Sequence, residues 1–454
     1  MGRQPKQPNR ELDELLDESG ISNKGLARRV VERARAIGLK LAYDHRSVGR
    51  WLDGQQPNSP GPELIAEVLT ESLGRRITPA ACGMCGGQDP IDVGLEFPLS
   101  LTEATASAAA LWRSDVERRR FLQGASYAVA VYSAASMRWL TLPGPEHPVS
   151  VGIRCVGQSD VDAVRTMTAA FRDLDNKVGG GKVRPTIVQY LHSSVAPLLR
   201  GSYAEPVGRQ LFTTTAELTK LAGWAAYDQE EHGLAQRYLI QALRLARAGG
   251  DPGLGAEILA AMSHQATYVG RPGDAVDLAR AAQISARSAG LATLASECHM
   301  VEAHGHAARQ DNSMCTASIT AAERTFSKAG SSDRPEWLTY FDGAYMSAKI
   351  AHCFRELGDD SRTACFAEQS LHMSDGYVRG RAFNLALLAS ARVNQDPLEA
   401  VRIGRQALDI AAGLSSRRSY AYLGDLRQRL SPYATMPDVE DFRQQVRALT
   451  RRRD

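Results

Sequence analysis

The feature that most constrains this chain is a repeat with a period of 40 residues. Laying LAGWAAYDQEEHGLAQRYLIQALRLA (221–246) over AMSHQATYVGRPGDAVDLARAAQISA (261–286) places Gly223, Ala235, Leu239 and Ala242 on Ser263, Ala275, Ala279 and Ala282. One further step reaches Ala303, Cys315, Ile319 and Ala322, and less regular copies follow at Ala351/Thr363/Ser370 and Leu388/Ala400/Ala407. Each copy carries helical periodicity interrupted by Gly, Asp-Pro or Gly-Asp, with small residues where two helices must approach closely. One such hairpin leaves an apolar face uncovered, so five in succession imply a stacked array. No convincing alternating strand interrupts 159–454, and an aromatic share of only 6% agrees with an all-α chain.

The pattern resembles tetratricopeptide (TPR) repeats, with a period longer than their usual length of about 34 residues. The proline expected after the second helix survives only in Asp251-Pro252. In such arrays the residue after the small position lines the concave surface, and Trp224, His264, His304 and His352 hold that place. Stacked rings there would form a strip able to hydrogen-bond or stack on a peptide, small-molecule or protein effector. The same positions also suit helix–helix packing with satisfied imidazoles. Glu217, Glu257 and Glu297 stand seven residues before the first three rings and are expected to pair with Arg or Lys of an adjoining helix. Segments 415–430 and 437–453 would close the array with an Arg-rich cap.

Gly/Pro-rich stretches at 82–100 and 141–152 divide the rest of the chain. The expected organisation is a helix-turn-helix domain over 10–80, a linker with a helical middle segment over 81–158 (helices at about 101–115 and 117–138), and the TPR-like array over 159–454. The total of 54 Lys and Arg against 51 Asp and Glu names no partner. Locally the balance differs: eight bases face three acids between Ile21 and Gly54, a net of +5 in 34 residues, as a surface meeting a polyanion requires.

Within that stretch Leu26, Val30 and Ala34 recur at helical spacing, and Asp44 reads as the N-cap of a second helix over 45–52. Val48, Trp51 and Leu52 share one side of it; His45, Arg46, Ser47 and Arg50 share the other, before Gly54 and Pro57 stop it ahead of a third helix at about 62–73. A supporting helix followed by a short recognition helix is a helix-turn-helix. Arg46 and Arg50 carry the fork that matches guanine O6 and N7, Ser47 would reach a base or phosphate, and Arg28 and Arg29 are placed for backbone contacts on double-stranded DNA. The competing reading is a solvated basic bundle that touches a protein.

The segment SVGRWLDG (47–54) resembles the recognition-helix end of lambda-repressor-like domains, with a longer connection over 31–43. Combined with Glu117-Arg118-Arg119-Arg120-Phe121-Leu122, Gly179-Gly180-Gly181 and the blocks LAGWAAYD, AQRYLIQALRLA and MSHQATYVG, it is similar to a family of actinobacterial transcriptional regulators that join a helix-turn-helix to a TPR-like domain. Some of these are negative regulators of sporulation and antibiotic production. The resemblance spans nearly the whole chain and implies a homodimeric DNA-binding regulator, more often a repressor, whose array senses or recruits an effector that it does not name. The alternative is an interaction scaffold without specific DNA binding.

Seven scattered cysteines favour a reducing, cytoplasmic setting, nucleoid-associated for a DNA binder. No apolar run approaches a membrane span, and the polar N-terminus does not read as a signal peptide. Arg118-Arg119-Arg120-Phe121-Leu122-Gln123 matches a twin-arginine motif but lies too deep in the chain to act as one. Gly179-Gly180-Gly181-Lys182 lacks P-loop spacing and reads as a flexible turn. Cys82-Gly83-Met84-Cys85 is half a zinc site, with no second pair nearby. His299, Glu302 and His306 share one helical face and read as polar groups of an ordinary repeat helix. No metal, cofactor or catalytic constellation is expected, and the chain does not read as an enzyme.

Overall fold

A computed structural model describes residues 8–36, 41–57, 60–75, 77–84, 93–117, 125–142, 146–148, 152–329 and 334–451. The described residues are all-α apart from an isolated bridge between Cys155 and Ser202. They fall into two compact units, Met1–Val93 and Gly94–Asp454, so the 81–158 segment is divided between them. No described helix is long and apolar enough to cross a membrane.

In the first unit α1 (Arg10–Ser19), α2 (Asn23–Ala36), α3 (His45–Leu52) and α4 (Gly61–Leu73) share one core. Asn9 caps α1 by accepting from the Leu12 amide, and Gly20 ends it with φ +65°. The amphipathic spacing then fixes what is buried: Leu12 and Leu16 of α1, Leu26 and Val30 of α2, Val48 and Trp51 of α3, and Leu64, Ile65 and Leu69 of α4. Tyr43 packs edge-on against Trp51 with centroids 5.0 Å apart. The supporting helix α2 runs on to Ala36, which accounts for the long 31–43 connection.

The second unit opens with α5 (Leu101–Glu117), α6 (Val131–Thr141), α7 (Gln158–Val178) and α8 (Gly180–Tyr190), which continues through a π-helical turn at Leu191–Val195 to Leu199. Five hairpins follow: α9 (Glu205–Asp228) with α10 (His232–Gly249), α11 (Pro252–Tyr268) with α12 (Pro272–Ala289), α13 (Ala292–Ala308) with α14 (Asn312–Phe326), α15 (Gly343–Glu356) with α16 (Asp360–Ser370), and α17 (Val378–Arg392) with α18 (Pro397–Gly413). Then come α19 (Arg417–Arg429) and α20 (Pro437–Arg451). The repeated small residues sit at the crossings: a Cβ on Gly223 would lie 3.0 Å from Tyr238 Cβ, and Ser263 Oγ donates to the Ala275 carbonyl at 2.7 Å. Asp251, Asp311, Asp359 and Asp396 cap the helices that follow them.

Residues 94–117 and 125–142 pack onto α10, which is buried around most of its circumference. Arg244 donates to the carbonyls of Pro98 (2.6 Å) and Leu99 (3.2 Å) and pairs with Glu146 (3.0 Å), while Gln241 donates to those of Gly94 and Glu96 (2.9 and 2.7 Å). Of the helix expected over 117–138, residues 125–130 are not helical and Val131–Thr141 is a helix, while 118–124 lie outside the described residues. The Gln236 side chain holds both the amide and the carbonyl of Ala128 at 2.8 Å, occupying the groups a helix would have used. The Arg118–Gln123 motif lies outside the described residues.

The array closes on its own beginning. The Gly180 amide donates to Asp228 Oδ2 (3.0 Å), the Gly181 amide to the Ser415 carbonyl (3.0 Å), and the Ser415 amide to the Val178 carbonyl (2.8 Å). Arg379 of α17 forks onto Asp175 of α7 at 2.8 and 3.0 Å and reaches Asp228 of α9 at 3.3 Å, all three side chains being buried. A Cβ on Gly179 or Gly180 would lie 2.6 Å from a backbone oxygen of Ser415 or Ala225, and one on Gly181 2.4 Å from Ser415 Oγ. The triplet expected as a flexible turn is therefore a close-packed clasp between α7–α9 and the segment leading into α19, and its amides are occupied by the protein itself.

Candidate functional site

On α3 the apolar side is buried, with Val48 at 0% and Trp51 at 4% exposure, and His45, Arg46 and Arg50 stand exposed on the other. Neither His45 nor Arg46 hydrogen-bonds or ion-pairs with a described residue. Arg50 Nη2 donates to Ser47 Oγ at 3.2 Å. Ser47 differs from its neighbours: it is buried, its amide and hydroxyl both donating to Asp44 Oδ1 (2.9 and 3.0 Å) in a capping box. Its hydroxyl is thus engaged in starting the helix. Those two donors, followed by the charges of His45 and Arg46, hold the Asp44 carboxyl below the usual carboxylate range.

Arg28 and Arg29 are exposed on α2, Arg28 beside Glu32 at 3.8 Å and Arg29 donating to Ser72 Oγ at 2.8 Å. Arg33 is tied to Glu67 (3.0 Å) and Glu71 (3.4 Å) of α4. Between residues 8 and 84 there are eleven Lys and Arg and eleven Asp and Glu. The basic run over 21–54 is therefore balanced by the acids of α1 and α4, and the unit is neutral but unevenly charged.

In the second unit the four rings read from the repeat register form one continuous stack. Trp224 and His264, His264 and His304, and His304 and His352 have centroids 5.6, 5.9 and 6.0 Å apart and interplanar angles of 30°, 38° and 43°. Tyr422 of α19 meets the far end edge-on, its hydroxyl 3.3 Å from His352 Nε2. Trp224, His304 and His352 keep partial exposure, and His264 is buried. Burial, reinforced by the nearby cations Lys349 and Arg418, holds all three imidazoles below their ordinary range, His304 at about 3, so the stack is neutral at pH 7.

Two residues against this strip were not anticipated. Lys349 of α15 is 6% exposed, with Nζ 2.9 Å from His264 Nδ1. Arg418 of α19 is 4% exposed and lies over the rings of Tyr227 (4.3 Å), Phe383 (4.8 Å), Tyr268 (5.6 Å) and Trp224 (5.9 Å). Among the described residues neither forms an ion pair with a carboxylate, and Arg418 Nε and His304 Nδ1 are buried without a hydrogen-bond partner. Desolvation brings Lys349 down to about 8.

The glutamate column is arranged more variously than expected. Glu217 pairs with Arg172 and Glu257 with Lys220, but Glu297 meets Tyr340, whose hydroxyl reaches both Glu297 (2.5 Å) and Glu257 (2.8 Å). Burial and the neighbouring Glu257 push the Glu297 carboxyl well above its ordinary range. Elsewhere, Glu302 gathers Gln283 (2.7 Å) and Arg280 (3.0 Å) beside His299 (3.7 Å) and His306 (3.8 Å). The Cys82 thiol is buried in the first unit's core and raised by desolvation to about 11; Cys85 lies outside the described residues.

Residues 12–85, which take in most of α1 and all of α2 to α4, match the family described as the SP15 N-terminal domain. No curated protein matches the chain.

Proposed function

We propose that this chain is a sequence-specific DNA-binding transcriptional regulator whose first unit reads a duplex through α3 and whose repeat array takes an effector on the Trp224–His264–His304–His352 strip. The observation that carries this reading is α3 itself. It is a short helix, capped by Asp44 and Ser47 and anchored by Val48 and Trp51, with His45, Arg46 and Arg50 exposed on its free side. A helix of this kind enters the major groove with Arg46 and Arg50 towards guanine edges and His45 beside them; Ser47 positions the helix, and Arg28 and Arg29 of α2 meet phosphates. A homodimer would place two such helices on half-sites about 34–36 Å apart. By its resemblance the regulator is a repressor of developmental or secondary-metabolism genes in the cytoplasm, associated with the nucleoid. No catalytic role is proposed.

The test is selection of bound duplexes from a random pool by the full chain, followed by gel shifts at rising salt. A preferred sequence should emerge and keep its advantage over bulk DNA as salt weakens both. Arg46→Ala or Arg50→Ala should relax one base position by about 1–3 kcal/mol, whereas Arg28→Ala should weaken all duplexes alike. The neutrality of the first unit favours one rival, a scaffold whose basic side meets a protein, and an unenriched pool would establish it in place of DNA reading.

A further inference from the structure

The strip presents charge as well as rings. Lys349 and Arg418 bring two cations into a largely dehydrated setting with no carboxylate paired to either. The imidazoles they face are neutral, and the acids whose charge reaches them are engaged elsewhere: Glu257 by Lys220 and Tyr340, Glu297 by Tyr340, and Asp228, which acts on Arg418, by Arg379, Ser416 and the Gly180 amide. Buried charge without a counter-charge is costly, and folded proteins carry it where a ligand or partner supplies the missing sign. The Arg418 side chain makes no hydrogen bond to a described residue; ring faces pack against it and the charge of Asp228 supports it, and its buried Nε has no acceptor of its own.

The surroundings limit what that acceptor belongs to. The clasp at Gly179–Gly181 and the Arg379 fork join the two ends of the array around the strip, and Tyr340 covers the acidic row on α11 and α13. α19 crosses the strip, with Arg418 at its Trp224 end and Tyr422 at its His352 end. A partner helix needs an open groove; a flat molecule of one or two rings does not. We propose that the inner strip binds a small planar aromatic carboxylate, its rings against Trp224, His304 and His352 and its carboxylate between the Arg418 guanidinium and the Lys349 ammonium. The inference rests on the reading of this strip as an effector site and specifies the effector's chemistry.

The experiment uses the full chain, 2-naphthoate as probe, and 2-naphthamide, cyclohexanecarboxylate and inorganic phosphate as controls, with affinity read by calorimetry in the absence of DNA. Naphthoate should bind at one site per chain, at least about tenfold more tightly than the isosteric neutral amide, as expected of charge-assisted hydrogen bonds, and more tightly than either non-aromatic anion. Arg418→Gln and Lys349→Met should each weaken naphthoate about tenfold or more while leaving naphthamide unchanged, and the unfolding midpoints of both variants establish that they are folded. Equal binding of naphthoate and naphthamide, unaltered binding by both folded variants, or no binding of naphthoate overturns the proposal. Binding without any change in DNA affinity would instead refute the effector reading and leave the site standing.

Discussion

Replacing Lys349 with Met separates a cation awaiting a counter-charge from a cation already satisfied by the fold. Its Nζ has His264 Nδ1 at 2.9 Å and the Tyr345 ring at 5.3 Å, and burial lowers its pKa from 10.5 to about 8 against the opposing pull of Glu297, with Arg418, Cys353 and Glu257 also facing it. That difference corresponds to about 3 kcal/mol borne by the native state at pH 7 to keep the ammonium charged. Methionine preserves the length of the stem and removes the charge, at the loss of one hydrogen bond and with His264 Nδ1 left unpaired, about 1–2 kcal/mol. The unliganded variant should therefore be more stable than the parent by about 1–2 kcal/mol. With an unfolding entropy near 0.8 kcal/mol/K for a unit of this size, that is a rise in Tm of about 2 °C.

The pH dependence supplies the sharper check. The unfolded chain holds the lysine proton up to pH 10.5 and the native chain only to about 8, so the parent gains stability as pH rises between those values and the variant does not. Thermal unfolding at pH 7 and pH 9.5 should show the advantage of Lys349→Met shrinking at the higher pH. A variant less stable than the parent at pH 7, by an amount that pH does not alter, would show that Lys349 is satisfied in the fold and would remove the physical basis for an anion site.

The histidine strip should make the protein acid-sensitive. Native imidazoles held below 6.5 refuse protons that the unfolded chain accepts, so stability is full above pH 6.5 and falls below it, by about 2 kcal/mol at pH 5 for His304 alone. His304→Phe should flatten the decline of Tm between pH 6.5 and 5, and an unchanged slope would contradict the neutral stack. Gly180→Ala should cost about 1–3 kcal/mol by forcing a methyl group onto the Ala225 carbonyl, measured by denaturant unfolding; a neutral effect would mean that the clasp yields freely. Trp51→Ala should cost the first unit about 3–5 kcal/mol, read as faster amide exchange in α1 to α4, and unchanged protection would place Trp51 outside the core.

The hairpin array was legible because close helix crossings admit few side chains, so Gly223, Ser263 and Ala303 recur in register and carry the neighbouring ring column with them. The stack of Trp224, His264, His304 and His352 follows from that arithmetic alone. Lys349 and Arg418 escaped it for a topological reason. Lys349 belongs to the least regular part of the repeat, and Arg418 belongs to a helix outside it that only ring closure brings to Trp224. Ser47 shows the opposite limit. A helical wheel turns it outward with Arg46 and Arg50, but at the first turn the unpaired amides compete for side chains, and Asp44 claims its hydroxyl. The Gly179–Gly181 triplet looked flexible because glycine marks both loose chain and tight approach, and only the neighbouring backbone of Ser415 and Ala225 distinguishes them.

Ring closure and anion binding should be coupled, because Arg418 lies in the first turn of α19, three residues beyond Ser415. In the unliganded protein Lys349 and Arg418 repel one another across the strip, and that repulsion acts against seating α19 on the clasp. A carboxylate between them reverses the sign of the interaction and pulls α15 and α19 together, favouring the closed arrangement by its differential affinity for the two states. The amides of Gly180, Gly181 and Ser415 report that equilibrium directly, since each donates across the closure. Hydrogen exchange at these three amides should slow in saturating 2-naphthoate, while the amides buried within α11, already protected by their own helix, should change little. Slowing confined to residues around Lys349 would show that the anion is held locally without drawing the ends together. Slowing at the clasp that survives Arg418→Gln would show that closure is driven from somewhere other than the strip.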